Sequence, residues 1–141
     1  MVSLKQTSLK YRGRKAATYD EIRTRQARWK LENETVARWL RALKPDTVVD
    51  CPIGTGRFLD IYRDLNVQSV YGVDISEEML ALAAKKMKPN SKKGTCLELE
   101  RGNATAIDTG DGQYDVAVCV RFLDLIDEEA MRMTMDELCR V

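Results

Sequence analysis

Two carboxylates and two glycines hold the positions from which this chain could do chemistry. Asp50 closes the apolar run Thr47-Val48-Val49, Asp74 closes Val70-Tyr71-Gly72-Val73, and Gly54-Thr55-Gly56 follows the first run after Cys51-Pro52-Ile53. Glycines 54 and 56 have no Cβ, so the backbone there can take positive φ and a ligand can lie close against it. A helix opening at that point would offer free N–H groups and a partial positive charge to an anionic group such as a carboxylate. Asp50 is placed to accept from a cationic or hydroxyl-bearing group, directly or through water. Asp74 stands about 20 residues beyond the glycine loop, the interval at which an acidic residue on a second strand reaches ribose hydroxyls. Each feature alone has a plainer account, a tight strand-to-helix connection for Gly-x-Gly and a strand-end turn for Asp74. Together they point to a nucleotide-like ligand.

The ligand is not expected to be a dinucleotide. That fingerprint needs a small residue three positions after the second glycine, and Leu59 stands there. Neither register, starting at Pro52 or at Gly54, completes G-x-G-x-x-G, so NAD and FAD are disfavoured.

The elements that must position these residues follow from hydrophobic periodicity and turn chemistry. The pattern predicts a helix over ~19–43, with apolar Ile22, Trp29, Val36, Trp39, Leu40 and Leu43, in which both tryptophans are expected as core anchors. Then come a strand at ~47–51, a helix at ~56–64, a strand at ~69–74 and a helix at ~76–88. Ser76 caps that helix, Glu77 and Glu78 complement its dipole, and Met79, Leu80, Leu82, Ala83 and Met87 form its apolar face. A Lys-rich turn near 89–94, a strand at ~95–101, an Asp/Gly turn at 108–112, a strand at ~114–120 and a helix at ~127–139 complete the chain. Alternating strands and helices imply an α/β, doubly wound, Rossmann-like and mostly parallel sheet with right-handed crossovers. The expected order is 3-2-1-4, with the ligand above the first and second strands.

Composition fits one ordinary globular domain: 141 residues, 44% hydrophobic and 32% charged. No stretch approaches the ~18 apolar residues of a membrane span, and no signal-peptide core opens the chain. Cysteines 51, 96, 119 and 139 form no C-x-x-C pair, and the chain has no histidine to join them in a metal site. Reduced thiols in the cytoplasm are the simplest reading. The net charge of +1 hides an asymmetry, since residues 1–30 hold nine Lys or Arg against Asp20 and Glu21. Such a basic arm could contact nucleic acid or another polyanion, or lie solvated or folded onto the acidic remainder.

The residues also resemble a known family. Asp50-Cys51-Pro52-Ile53-Gly54-Thr55-Gly56 is similar to the first motif of class I S-adenosylmethionine-dependent methyltransferases, with Pro52 in place of its first glycine. Val73-Asp74-Ile75-Ser76-Glu77-Glu78-Met79-Leu80 resembles the second motif, and Gly102-Asn103-Ala104-Thr105 the third, where the family usually has Asp at the place of Asn103. Tyr114-Asp115-Val116-Ala117-Val118-Cys119-Val120-Arg121 resembles the fourth strand, and Asp136-Glu137-Leu138-Cys139-Arg140-Val141 the helix end that leads to a fifth. The resemblance runs from about residue 45 to Val141 and implies S-adenosylmethionine as cofactor, with S-adenosylhomocysteine as product. It implies cofactor contacts from Tyr19, Asp50, Pro52, Gly54, Thr55, Gly56, Asp74, Ile75, Met79, Asn103, Ala104 and Val120, and no metal. Family members go on through three more strands to a seven-stranded sheet. The chain is therefore expected to be a basic arm, 1–18, followed by an incomplete cofactor-binding domain, 19–141.

Methyl transfer from a sulfonium asks mainly for positioning of the acceptor, with a general base only for acceptors that hold their proton. The chain lacks the usual neutral-pH base, and no Asp-Pro-Pro-Tyr or Asn-Pro-Pro-Tyr run follows the fourth strand. Arg121 and Asp124 fall on the acceptor side or form a surface ion pair; no catalytic residue is assigned. Besides a methyltransferase of unknown acceptor, the pattern allows a non-catalytic cofactor-binding subunit and an enzyme that consumes the cofactor without methyl transfer. The fourth strand, apolar on both faces, is expected at a sheet edge. That predicts a dimer meeting through the fourth strands or the 127–139 helices, with Met131, Met135 and Leu138 as contacts, or a partner chain covering the edge.

Overall fold

A computed structural model describes residue 24, residues 27–86 and residues 94–141. The expected residues Tyr19, Ile22 and Met87, the basic arm at 1–18 and residues 89–93 of the Lys-rich turn lie outside them. The chain order is α1 (Ala27–Leu43), β1 (Thr47–Asp50), α2 (Leu59–Asp64), β2 (Ser69–Asp74), α3 (Glu77–Lys86), β3 (Cys96–Arg101), β4 (Val116–Val118), a 3-10 turn (Leu123–Leu125) and α4 (Glu128–Arg140). The four strands form one sheet in the order β3-β2-β1-β4, and every pairing is parallel.

Alternation along the strands sorts the core into two layers. Val48 and Val70 face the layer that holds Leu40 of α1, Leu59 and Tyr62 of α2, and Ala83 of α3. Val49, Tyr71 and Val73 face the opposite layer, with Ala104, Ile107 and Val141, against which Leu138 of α4 packs. Buried central strands with both faces covered read as near-continuous apolar runs, as these do. Asp115 joins the starts of β4 and β1, its carboxylate accepting from the backbone N–H groups of Asp46 and Thr47 and from the Thr47 hydroxyl.

Four local expectations need correction. The helix expected at ~56 begins at Leu59, because Gly54 (φ +57°) and Gly56 (φ +70°) are left-handed and the loop closes through turns from Gly56 N–H to the Ile53 carbonyl and from Leu59 N–H to the Gly56 carbonyl. The strand expected at ~114–120 pairs only over Val116–Val118, since β1 ends at Asp50 and the chain turns away at Pro52. Trp29 is buried, but Trp39 is 60% exposed: α1 turns Trp29, Ala37 and Leu40 inward, and Trp39 falls on its outer side with Leu43. Leu138 packs inward, which removes it from the set of surface contacts, whereas Met131 and Met135 are exposed.

Candidate functional site

All strands run the same way, so Asp50 and Asp74 end neighbouring strands at one edge of the sheet, with the Val120–Phe122 segment beyond β4 beside them. A cleft of about 120 Å³ opens there, lined by both carboxylates, by Pro52, Ile53, Gly54 and Thr55 of the loop, by Ile75, Ser76 and Met79, and by Val120, Arg121, Phe122 and Leu125. Trp29 of α1 and Arg57 and Phe58 of the loop close the rest of its wall. A smaller recess towards β3 is lined by Cys51, Pro52, Asp74, Ile75, Gly102, Asn103, Ala104 and Phe122. The two share Pro52, Asp74, Ile75 and Phe122, so the depression runs from the end of β3, over β2 and β1, to the segment after β4.

Asp74 sits where the two meet and organises both sides. One carboxylate oxygen accepts from Gly54 N–H at 2.9 Å and the other from Ser76 N–H at 2.9 Å. Burial pushes its carboxyl above the usual range, against the pull of these backbone donors. Ile75 N–H also acts on the carboxylate, and of its roughly four lone-pair sites one remains to accept from a ligand hydroxyl. Ser76 caps α3, its hydroxyl accepting from Met79 N–H at 3.4 Å.

Asp50 is 2% exposed and accepts from the Tyr62 hydroxyl at 2.8 Å. Burial raises its pKa to about 7, and the neighbouring Asp74 adds to the rise while the Tyr62 bond and Arg57 oppose it. A carboxyl so poised is ready to pair with a ligand cation, which would supply the charge that burial withholds.

The glycines divide the work. A Cβ on Gly54 would meet nothing within 4 Å, so this stretch of backbone faces open space on the cleft. A Cβ on Gly56 would come 2.4 Å from Leu59 Cδ1 and 3.1 Å from Ala83 Cβ, so Gly56 is required by packing and does not line the cleft. The expected anion site on the following helix is also corrected: α2 has six residues, begins three positions late, and the Gly54 and Gly56 N–H groups are already bonded within the protein.

The other expected contacts are brought together. Pro52, Thr55, Ile75, Met79 and Val120 line the cleft, and Asn103 and Ala104 line the recess. Sequence reading missed the wall made by α1. Arg57 lies 3.6 Å over the Trp29 ring and donates to the Trp29 carbonyl, Glu32 and Asn33 at 2.7–2.8 Å. Glu32 also accepts from Arg121 Nε at 2.9 Å, so one acidic residue of α1 joins the loop after β1 to the segment after β4. Its carboxyl is held below the usual range: burial would raise it, and the bonds from Arg57 and Arg121 outweigh that. Arg121 thus pairs with Glu32 and not with the exposed Asp124. The available signal was an arginine immediately after the second glycine, which no strand-loop-helix pattern requires.

Comparison with known proteins agrees with this geometry. Residues 48–141 match a family model described as a methyltransferase domain. A curated small RNA 2′-O-methyltransferase of Arabidopsis thaliana is 28% identical over 102 residues, covering 68% of this chain and 11% of that protein. Among solved structures, a SAM-dependent methyltransferase from Methanosarcina mazei is 30% identical, with a TM-score of 0.55 over 67% of this chain and 46% of that one. The magnesium protoporphyrin IX methyltransferase from Synechocystis PCC 6803, solved with bound SAM, is 18% identical with a TM-score of 0.62 over 98% of this chain and 58% of that one, a likeness of fold. The chain spans about a ninth of the curated relative and about half of each solved one.

Proposed function

The chain belongs to the methyltransferase-domain family, and we propose that its cleft holds S-adenosylmethionine for methyl transfer to an acceptor. The observation that carries this is Asp74, a nearly buried carboxylate with accepting capacity left where the cleft and the recess meet. The residues fit such a ligand: a hydroxyl-accepting carboxylate, a small recess beside Asn103 and Ala104 for a flat base, and open space over Gly54 for the amino-acid tail. When bound, the cofactor would supply an electrophilic methyl group on a sulfonium, open to in-line displacement by an acceptor, with S-adenosylhomocysteine as the product. Asp74 orients the ribose, Asp50 offers its carboxylate to the cationic part of the ligand, and Phe122, Leu125 and Trp29 keep water from the end nearest β4. Calorimetry with S-adenosylhomocysteine tests the reading. Asp74→Ala is expected to cost ~1–3 kcal/mol of binding, the range for a lost hydrogen bond to a charged group. Unchanged affinity in the variant would remove the assignment.

Several finer readings belong to the same proposal. Tyr19 is included among the cofactor contacts, and the division into an arm at 1–18 and a domain at 19–141 is retained. The charge of residues 1–30 favours a polyanionic partner, and the curated relative's small RNA substrate favours nucleic acid. All four cysteines are unpaired, which suits a reducing, cytoplasmic setting. Among the described residues no helix is long and apolar enough to cross a membrane.

A further inference from the structure

Arg121 lines the cleft with one end of its guanidinium unsatisfied. Its Nε donates to Glu32 Oε1, while Glu32 uses its other oxygen for Arg57. The Nη1–Nη2 end of the Arg121 fork therefore takes no carboxylate from α1. Neither Nη atom hydrogen-bonds to a described residue, and Nη1 is buried. A buried charged donor without an acceptor is costly, and native proteins seldom leave one so unless a ligand completes it. The backbone adds a second sign, because Arg121 is held at φ +59°, a left-handed conformation that strains any residue with a Cβ.

The N–H groups of the two loop glycines do not offer a ligand oxyanion such an anchor. The N–H of Gly54 is taken by Asp74 and that of Gly56 by the Ile53 carbonyl, and α2 is too short and too late to supply another. We propose that Arg121 is the anion anchor of the cleft, its two Nη groups binding a carboxylate or phosphate oxyanion of the bound ligand. The fork geometry suits either group, since both present two oxygens in one plane to parallel N–H donors. The oxyanion comes from one of two sources, the amino-acid carboxylate of the cofactor or an anionic group on the methyl acceptor. The inference rests on the cofactor reading only in naming these sources; the anchor itself is a property of Arg121.

The test is calorimetry on the full chain with three probes: S-adenosylhomocysteine, 5′-methylthioadenosine, which lacks the amino-acid tail, and inorganic phosphate. If the cofactor carboxylate is the source, Arg121→Gln lowers S-adenosylhomocysteine affinity about tenfold or more, as loss of a charge-assisted bond does, and leaves 5′-methylthioadenosine unchanged. If the acceptor is the source, both nucleosides bind as before, and phosphate binding by the S-adenosylhomocysteine-loaded wild type disappears in the variant. Equal losses for both nucleosides, or no change with any probe, overturn the proposal and leave Arg121 as a strut for α1. Circular dichroism checks that the variant folds. If it does not, Arg121→Lys keeps a charge for Glu32 without the fork and is expected to show the same losses with the same probes. A wild type that binds neither nucleoside removes the cofactor reading. Phosphate titrated into the unloaded protein then still decides for or against the anchor, by its loss or persistence in the variant.

Discussion

At the scale of single residues, Gly54 and Gly56 should separate binding from folding. Both are left-handed, so an Ala at either costs about 1–2 kcal/mol of strain. At Gly56 the added Cβ also overlaps the buried Leu59, and overpacking adds about 1–3 kcal/mol. Thermal melts are expected to show the larger loss for Gly56→Ala, while Gly54→Val stays folded and loses S-adenosylhomocysteine binding; the reverse order would mean that the loop is packed differently. Asp50 gives a pH signature. Its folded pKa, about 7, lies above the ordinary 3.8, so the folded state holds the proton more tightly than the unfolded chain. That contribution to stability is complete below the unfolded value and is lost as pH rises through about 7. Glu32 has the opposite sign, but its lowered pKa confines its effect to more acidic solution. Between about pH 5 and pH 8 the unliganded protein should therefore melt at lower temperature as pH rises, with a shallower slope in Asp50→Asn. Cofactor binding should release a proton near neutrality, visible as a buffer-dependent calorimetric enthalpy.

At the scale of elements, what could be read from the sequence was what depends on local pattern. Each apolar run ending in a carboxylate became a strand ending at the cleft, and the alternation of strands with helices became an all-parallel sheet in the expected order 3-2-1-4. Ser76 capped its helix because capping is decided within a few residues. The long-range features were not legible. Nothing local distinguishes Trp29 from Trp39, both at helical spacing on α1; the difference lies in which side meets Arg57 and the loop, 28 residues away. Helix α2 starts late because two positive-φ glycines cannot enter a right-handed helix, and the second of them packs against Ala83 of the distant α3. The Glu32 bridge joins α1 to a segment 89 residues downstream and has no sequence period. It makes its own prediction. Removing Glu32 takes its carboxylate away from two largely buried guanidiniums, so Glu32→Ala should destabilise the domain by about 3–5 kcal/mol. Denaturant titration measures this, and a loss under about 1 kcal/mol, the worth of a surface pair, would show that α1 is held without the Glu32 bridge.

At the scale of the whole molecule, the edge of the sheet carries a prediction about association in solution. Strand β4 pairs with β1 on one side and with no described strand on the other. Its Ala117 is exposed, and Cys119, two positions on, is only partly covered. An edge with free backbone donors and acceptors beside apolar surface is a template for another strand, and natural proteins cover or charge such edges. On α4, Met131 and Met135, one turn apart, are both exposed, although the inward side of the same helix is closed by Ala130, Thr134 and Leu138. The two features favour association, either with a second copy about a two-fold axis or with a chain that supplies further strands. Light scattering should then give a mass above that of the 16.1 kDa monomer at ~100 µM, falling on dilution as mass action requires. Replacing Met131 and Met135 by Lys tests which surface is used. A return to monomer assigns the contact to α4, whereas an unchanged dimer assigns it to the β4 edge. A monodisperse monomer of the parent chain at that concentration would mean that residues outside those described cover the edge themselves.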